Sequence, residues 1–210
     1  MTINETNLQS LQGKLSTTFS NFSTDGTNAF NSYVSAQNNI WRSPKSQALA
    51  KEIQTCLDSA IKNIGILQNN IRSSIRTNVQ NHNTAEGVQL SFSYDYSSPS
   101  TSKLDDIEVK FSDSSIGLLE GHTINEIKPN FVAITNVFRE CFTSMLSAVN
   151  SSPIFSDTQQ NDLVDKIVDK KNEFEADYIE LLNSWNTRTQ NEDSVRSKEA
   201  STASSNISNI

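Results

Sequence analysis

Residues 38–49, NNIWRSPKSQAL, decide how this chain folds. Trp41 closes a run in which apolar residues recur every three or four positions: Leu8, Leu11, Leu15, Phe19, Phe22, Ala29 or Phe30, Tyr33, Ala36 and Ile40. That spacing is the one-sided stripe of an amphipathic helix. Asp25-Gly26 interrupts it with a residue that disfavours helix interiors by ~1 kcal/mol, so a bend or fraying is expected there. At Ser43-Pro44 the stripe stops. A serine hydroxyl can cap the next helix, and proline suits a first helical position, where its missing N–H is no loss. A second stripe then runs through Leu49, Ile53, Cys56/Leu57, Ala60, Ile64, Leu67, Ile71, Ile75 and Val79. Two long helices joined by so short a link must fold back on each other, which defines a first helical hairpin over residues 1–83.

The period changes after residues 82–86, HNTAE, which are expected to break the helix. VQLSFSYDY sets Val88, Leu90, Phe92, Tyr94 and Tyr96 on one side and polar residues on the other, the period of two of a half-buried strand. IEVKF repeats the alternation with Ile107, Val109 and Phe111. Residues 87–112 are therefore expected to form a β-hairpin, within an insertion and connector spanning 84–122. A lone hairpin is marginal in water, so its apolar face must rest on the helices or on a partner. Val88, Leu90, Phe92, Tyr94, Ile107, Val109 and Phe111 are the candidate partner contacts, since an open strand edge can pair with another chain.

A second helical hairpin is expected over residues 123–189. Its first stripe is Ile127, Phe131, Ile134, Val137/Phe138, Cys141/Phe142, Met145 and Ala148. Thr123 and Glu126 have the spacing of a capping box, and Pro129 offers an alternative start. After the turn NSSPIFSDTQ the last stripe is Leu163, Ile167, Phe174, Tyr178, Leu181/Leu182 and Trp185. Residues 190–210 carry almost no apolar side chains and read as a disordered tail.

The two turns can be overlaid. Residues 155–167, FSDTQQNDLVDKI, laid on residues 41–53, WRSPKSQALAKEI, put Phe155 on Trp41, Ser156-Asp157 on Arg42-Ser43, Leu163 on Leu49 and Ile167 on Ile53. Such self-similarity favours two equivalent units. The expected fold is mainly α: two antiparallel helical hairpins pairing as a four-helix bundle with crossings of roughly +20°, plus the inserted β-hairpin.

Composition narrows the function. A net charge of −7 with pI ≈ 4.8 disfavours nucleic acid and anionic membrane surfaces, both of which select clustered Lys and Arg. No apolar run approaches the ~20 residues of a membrane span, and the N-terminal residues lack the basic-then-apolar pattern of a signal peptide. His82 and His122 lie in break regions with no ligand-spaced Cys or carboxylate beside them, so no metal or cofactor is expected. No phosphate loop or nucleophile elbow occurs. The carboxylates of DLVDKIVDKKNEFEADYIE alternate with lysines at helical spacing, as on a solvated helix face. Cys56 and Cys141 each fall on an apolar stripe and read as small buried hydrophobes. The chain is thus expected to be non-enzymatic, with no small-molecule substrate.

The stretch IWRSPKSQAL, a tryptophan, one residue and then a small residue between two amphipathic helices, resembles the turn of the WXG superfamily (Trp-X-Gly). These are ESAT-like helical hairpins of about a hundred residues exported by type VII secretion systems. Trp41, Arg42, Ser43 and Pro44 carry the resemblance, with Ser43 where the family has glycine. Phe155, Ser156 and Asp157 stand at the equivalent site of the second unit. Family members work as pairs of hairpins, so two in one chain would look like such a pair fused. The resemblance implies a protein made in the cytoplasm and exported by a type VII system. It would act as a secreted substrate, or as the partner or targeting chaperone of a larger WXG/LXG-type effector, through helical bundling or self-association. The family's tail signal, Tyr-x-x-x-Asp/Glu, is missing: Tyr178 is followed at that spacing by Leu182. The alternative is a cytoplasmic helical adaptor or phage-type structural protein with no role in secretion.

Overall fold

The computed structural model describes residues 3–101, 117–118 and 122–209. It is mainly helical. Among the described residues four helices dominate: α1 (Glu5–Ile40), α2 (Pro44–Glu86), α3 (Lys128–Ser151) and α4 (Asp157–Ser208). A two-residue strand β1 (Trp41–Arg42) separates α1 from α2, and pairs antiparallel with β2 (Gly117–Leu118). A 3-10 turn, Ile124–Ile127, leads into α3.

The first two helices form where stripe and caps agree. The Asn4 side chain accepts the Asn7 N–H at 3.1 Å to open α1. The stripe residues Leu8, Leu11, Leu15, Phe19, Phe22, Phe30 and Tyr33 are all buried. The helix runs unbroken through Asp25-Gly26, where Gly26 is itself buried beside Pro99. The α2 helix continues through HNTAE and ends at Gly87, whose φ of 68° is the left-handed cap that glycine adopts without strain. His82 therefore sits inside the helix and not in a break. Thr123 and Glu126 do act together: the Thr123 N–H donates to Glu126 Oε1 at 2.8 Å. They open the 3-10 turn, and α3 begins immediately after it with Pro129 in its first turn.

The helix contacts give the order α1–α3–α4–α2 around the core, each antiparallel to its neighbours. Along α1 and α3, Lys14 Nζ donates to Ser151 Oγ at 2.7 Å, Phe22 meets Phe138 and Tyr33 meets Phe131. Along α3 and α4, Gln160 Nε2 donates to the Val149 carbonyl at 2.6 Å. Phe174 stacks on Phe138 and Trp185 on Phe131 farther along. Ion pairs Lys45–Glu192 and Glu52–Arg188 join α2 to α4. Between α1 and α2 the spacing is wider, and residues 88–101 fill it.

Those residues carry no regular secondary structure. The alternation that suggested a strand is nevertheless present as burial: Phe92 and Tyr94 are 5% and 4% exposed, while Ser91, Ser93 and Asp95 are exposed. The groove between two helices produces this period of two, in place of the sheet face expected. Val88 is 41% exposed and Leu90 half-buried. Ile107, Val109 and Phe111, in the second arm of the expected hairpin, lie outside the described residues.

The tail is a further departure. From Asp157 the helix runs on through residues 190–208, where disorder was expected. No proline or glycine follows Pro153, so nothing in the sequence interrupts the backbone ladder. From Ser197 to Asn209 every residue is exposed.

Candidate interaction site

The link between α1 and α2 is built as a buried corner. Trp41 is 3% exposed, and its backbone pairs with Leu118 while Arg42 pairs with Gly117. The indole is a core anchor and not a surface docking residue. Its Nε1–H finds no acceptor among the described residues. Ser43 caps α2 in a reciprocal box: the Ser46 N–H donates to Ser43 Oγ at 3.1 Å, and the Ser43 N–H to Ser46 Oγ at 2.9 Å. Pro44 fills the first turn. A glycine at 43 could not supply this hydroxyl, so serine has a structural reason to be there.

A chain of buried polar groups ties α1 and α2 together at this corner. Gln37 Nε2 donates to the Ser46 carbonyl at 2.9 Å, and Tyr33 Oη donates to Gln37 Oε1 at 2.6 Å. Trp185 of α4 stands beside the Tyr33 hydroxyl. Burial pushes the Tyr33 phenol well above its ordinary range, with the Trp185 indole opposing that rise. Each amide and hydroxyl here has a partner, as a buried network requires. Sequence reading missed it, although Tyr33, Gln37 and Ser46 stand four and nine residues apart around the turn.

The second turn lies at the other end of the molecule. Asn7 Nδ2 donates to the Pro153 carbonyl at 3.0 Å, and Ser152 Oγ donates to Ser10 Oγ at 3.0 Å. Phe155 is half-buried against the core, Ser156 precedes the first residue of α4, and Asp157 opens that helix. Unlike Ser43, Ser156 makes no side-chain capping bond to the helix backbone. The two turns are thus not brought together, and only at the first are the aromatic and the small residue, Trp41 and Ser43, both buried.

The remaining candidates carry little chemistry. Cys56 is half-buried and Cys141 buried, both as free thiols. Burial pushes both thiols up, with Asp177 adding to the effect at Cys56, so neither is an activated nucleophile. His122 is exposed and bonds Glu126 at 2.9 Å, which lowers the glutamate's pKa. Among the described residues no group of three or more His, Cys, Asp or Glu could hold a metal ion. No helix among them is long and apolar enough to cross a membrane.

What the structure adds is the seating of residues 88–101. Tyr94 stacks on Phe19 at 5.7 Å, and Tyr96 meets the same ring edge-on at 5.2 Å. Tyr94 Oη donates to the Gln68 carbonyl at 3.2 Å, with the Arg72 guanidinium 5.9 Å over its ring. Of the predicted partner contacts, Phe92 and Tyr94 are therefore spent on the chain's own helices. Compared with family models, curated proteins and solved structures, the chain finds no match.

Proposed function

We propose that this chain is a non-enzymatic, WXG-like protein of type VII secretion. In this reading it is two helical hairpins fused in one chain, acting as a secreted substrate or as the partner that targets a larger effector by helical bundling. The observation that carries the reading is the corner at Trp41-Arg42-Ser43, a buried tryptophan and a small capping residue joining two long antiparallel helices. The second turn, placed at the opposite end, supports it further: a two-fold axis across the long direction of two equivalent hairpins would put their turns at opposite ends.

Because each hairpin covers the other's apolar seam, a partner would bundle on the outer faces. Export is tested by comparing culture supernatants of the parent strain and a strain lacking the secretion ATPase. The protein, or an exported protein that co-purifies with it, is expected in the first and not in the second. If neither leaves the parent cell, the reading fails. The absence of Tyr-x-x-x-Asp/Glu after Tyr178 would then favour a cytoplasmic helical adaptor.

A further inference from the structure

The segment between Leu90 and Thr101 lies along α1 and α2 as a bound peptide lies in a receptor. Asn83 clamps Leu90 from both sides: its Oδ1 accepts the Leu90 N–H at 3.0 Å and its Nδ2 donates to the Leu90 carbonyl at 2.7 Å. Gln12 Oε1 accepts the Ser93 N–H at 2.9 Å, Thr27 Oγ1 accepts the Ser100 N–H at 3.1 Å, and Gln54 Nε2 reaches the Thr101 carbonyl at 3.4 Å. Side chains of two helices thus read the main chain of a third segment.

The geometry gives its conformation. Gln12 and Thr27 are separated by about 22 Å of helix at 1.5 Å per residue. Ser93 to Ser100 covers that distance in roughly 3.2 Å per residue, the rise of a fully extended chain. An extended chain turns alternate side chains inward, and over residues 91–95 Phe92 and Tyr94 are buried while Ser91, Ser93 and Asp95 are exposed; Pro99, buried too, falls outside that alternation. Farther on, Pro99 fits only because position 26 is glycine: a Cβ there would stand 2.8 Å from the proline ring. The groove therefore selects aromatic-x-aromatic-x-aromatic-x-x-Pro, with small polar residues between.

We propose that the α1–α2 groove is a receptor for an extended peptide of this pattern, occupied in cis by residues 88–101, and that the same pattern presented by another polypeptide displaces them. Residues 88–101 carry no helix or strand hydrogen bond, and Gly87, already left-handed, precedes them as the cap of α2. The inference rests on the groove alone and not on the secretion reading, so either can fail without the other.

The test uses the full chain and a labelled synthetic peptide of residues 88–101, VQLSFSYDYSSPST. A tethered segment competes at an effective concentration of order millimolar, so the parent chain binds the peptide weakly. In a Phe92→Ala/Tyr94→Ala variant with parental helical circular dichroism, binding is expected to tighten at least ~10-fold. A peptide with serine at both aromatic positions should not bind. No binding to the folded variant, or equal binding of the serine peptide, overturns the proposal. Should the variant lose its helical signal, hydrogen exchange on the parent chain decides. Millimolar peptide must then speed exchange at the Ser93 and Ser100 amides and spare the helices. Unchanged protection there overturns it.

Discussion

Truncating Trp41 to alanine removes a fully enclosed ring from the corner between α1 and α2, where two helices and a strand leave little freedom to collapse. The expected loss is ~3–5 kcal/mol by urea unfolding. Trp41→Phe should cost well under half of that, because the indole N–H forfeits no hydrogen bond seen among the described residues. Equal losses for the two variants would mean that the N–H has a partner after all. Ser43 separates two roles in the same way. Ser43→Ala removes the cap and should cost ~1 kcal/mol, whereas Ser43→Gly should cost only a few tenths, since glycine leaves the capping backbone accessible. Gln68 presents the opposite case. It is 1% exposed, yet neither atom of its side-chain amide has a partner among the described residues. A buried unsatisfied amide costs ~1–3 kcal/mol, so Gln68→Met, similar in length and apolar, should raise stability by about that amount. A loss on this substitution would show that the amide is satisfied.

Elements were legible where one stripe met one helix, and illegible where a third segment intervened. The caps at Ser43 and Thr123 could be read because they depend on neighbours within three residues. The seat of residues 88–101 could not be read. Alternation reports only that one side of an extended chain is buried, and it is blind to whether a sheet or a groove does the burying. Gly26 misled for the same reason: as local sequence it weakens α1, but in the fold it admits Pro99. A double-mutant cycle separates these effects. Gly26→Ala should gain helix propensity yet lose stability overall, by on the order of 1 kcal/mol, because the new methyl meets the proline ring. In a Pro99→Gly background the same change should stabilise by up to ~1 kcal/mol. Additive effects would mean the two residues do not press on each other. The end of α4 gives the converse lesson. Composition led to a disordered tail over residues 190–210, yet the helix runs through Ser208 although every residue from Ser197 to Asn209 is exposed; exposure does not forbid a helix continuing from a packed one.

At the scale of the whole molecule, the order α1–α3–α4–α2 was not readable from periodicity, which gives each helix a face but no neighbour. Aromatic contacts set α1 against α3 and α3 against α4, with Phe131 between Tyr33 and Trp185 and Phe174 stacked on Phe138, while α2, which carries no aromatic residue, is joined to α4 by the ion pairs Lys45–Glu192 and Glu52–Arg188. The same packing buries acidic protons on both sides of the core. Tyr33 and Tyr94 are raised above their ordinary 10.0, and Cys141 above its ordinary 9.0, chiefly through loss of water. For such groups the folded state keeps its proton while the unfolded chain releases it. Their contribution is complete below the unfolded values and is lost as pH climbs beyond them. Stability should therefore be level with respect to these groups up to about pH 9 and then fall. Each fully buried group can steepen the fall by up to about 1.4 kcal/mol per pH unit. Urea unfolding between pH 8 and pH 11 measures the slope. A Tyr33→Phe/Tyr94→Phe variant starts from lower stability, having lost two hydrogen bonds, but should descend less steeply than the parent above pH 10. If parent and variant fall in parallel, the two phenols are not what the alkaline limit reports, and the burial assigned to them in the Trp41 corner and the α1–α2 groove is wrong.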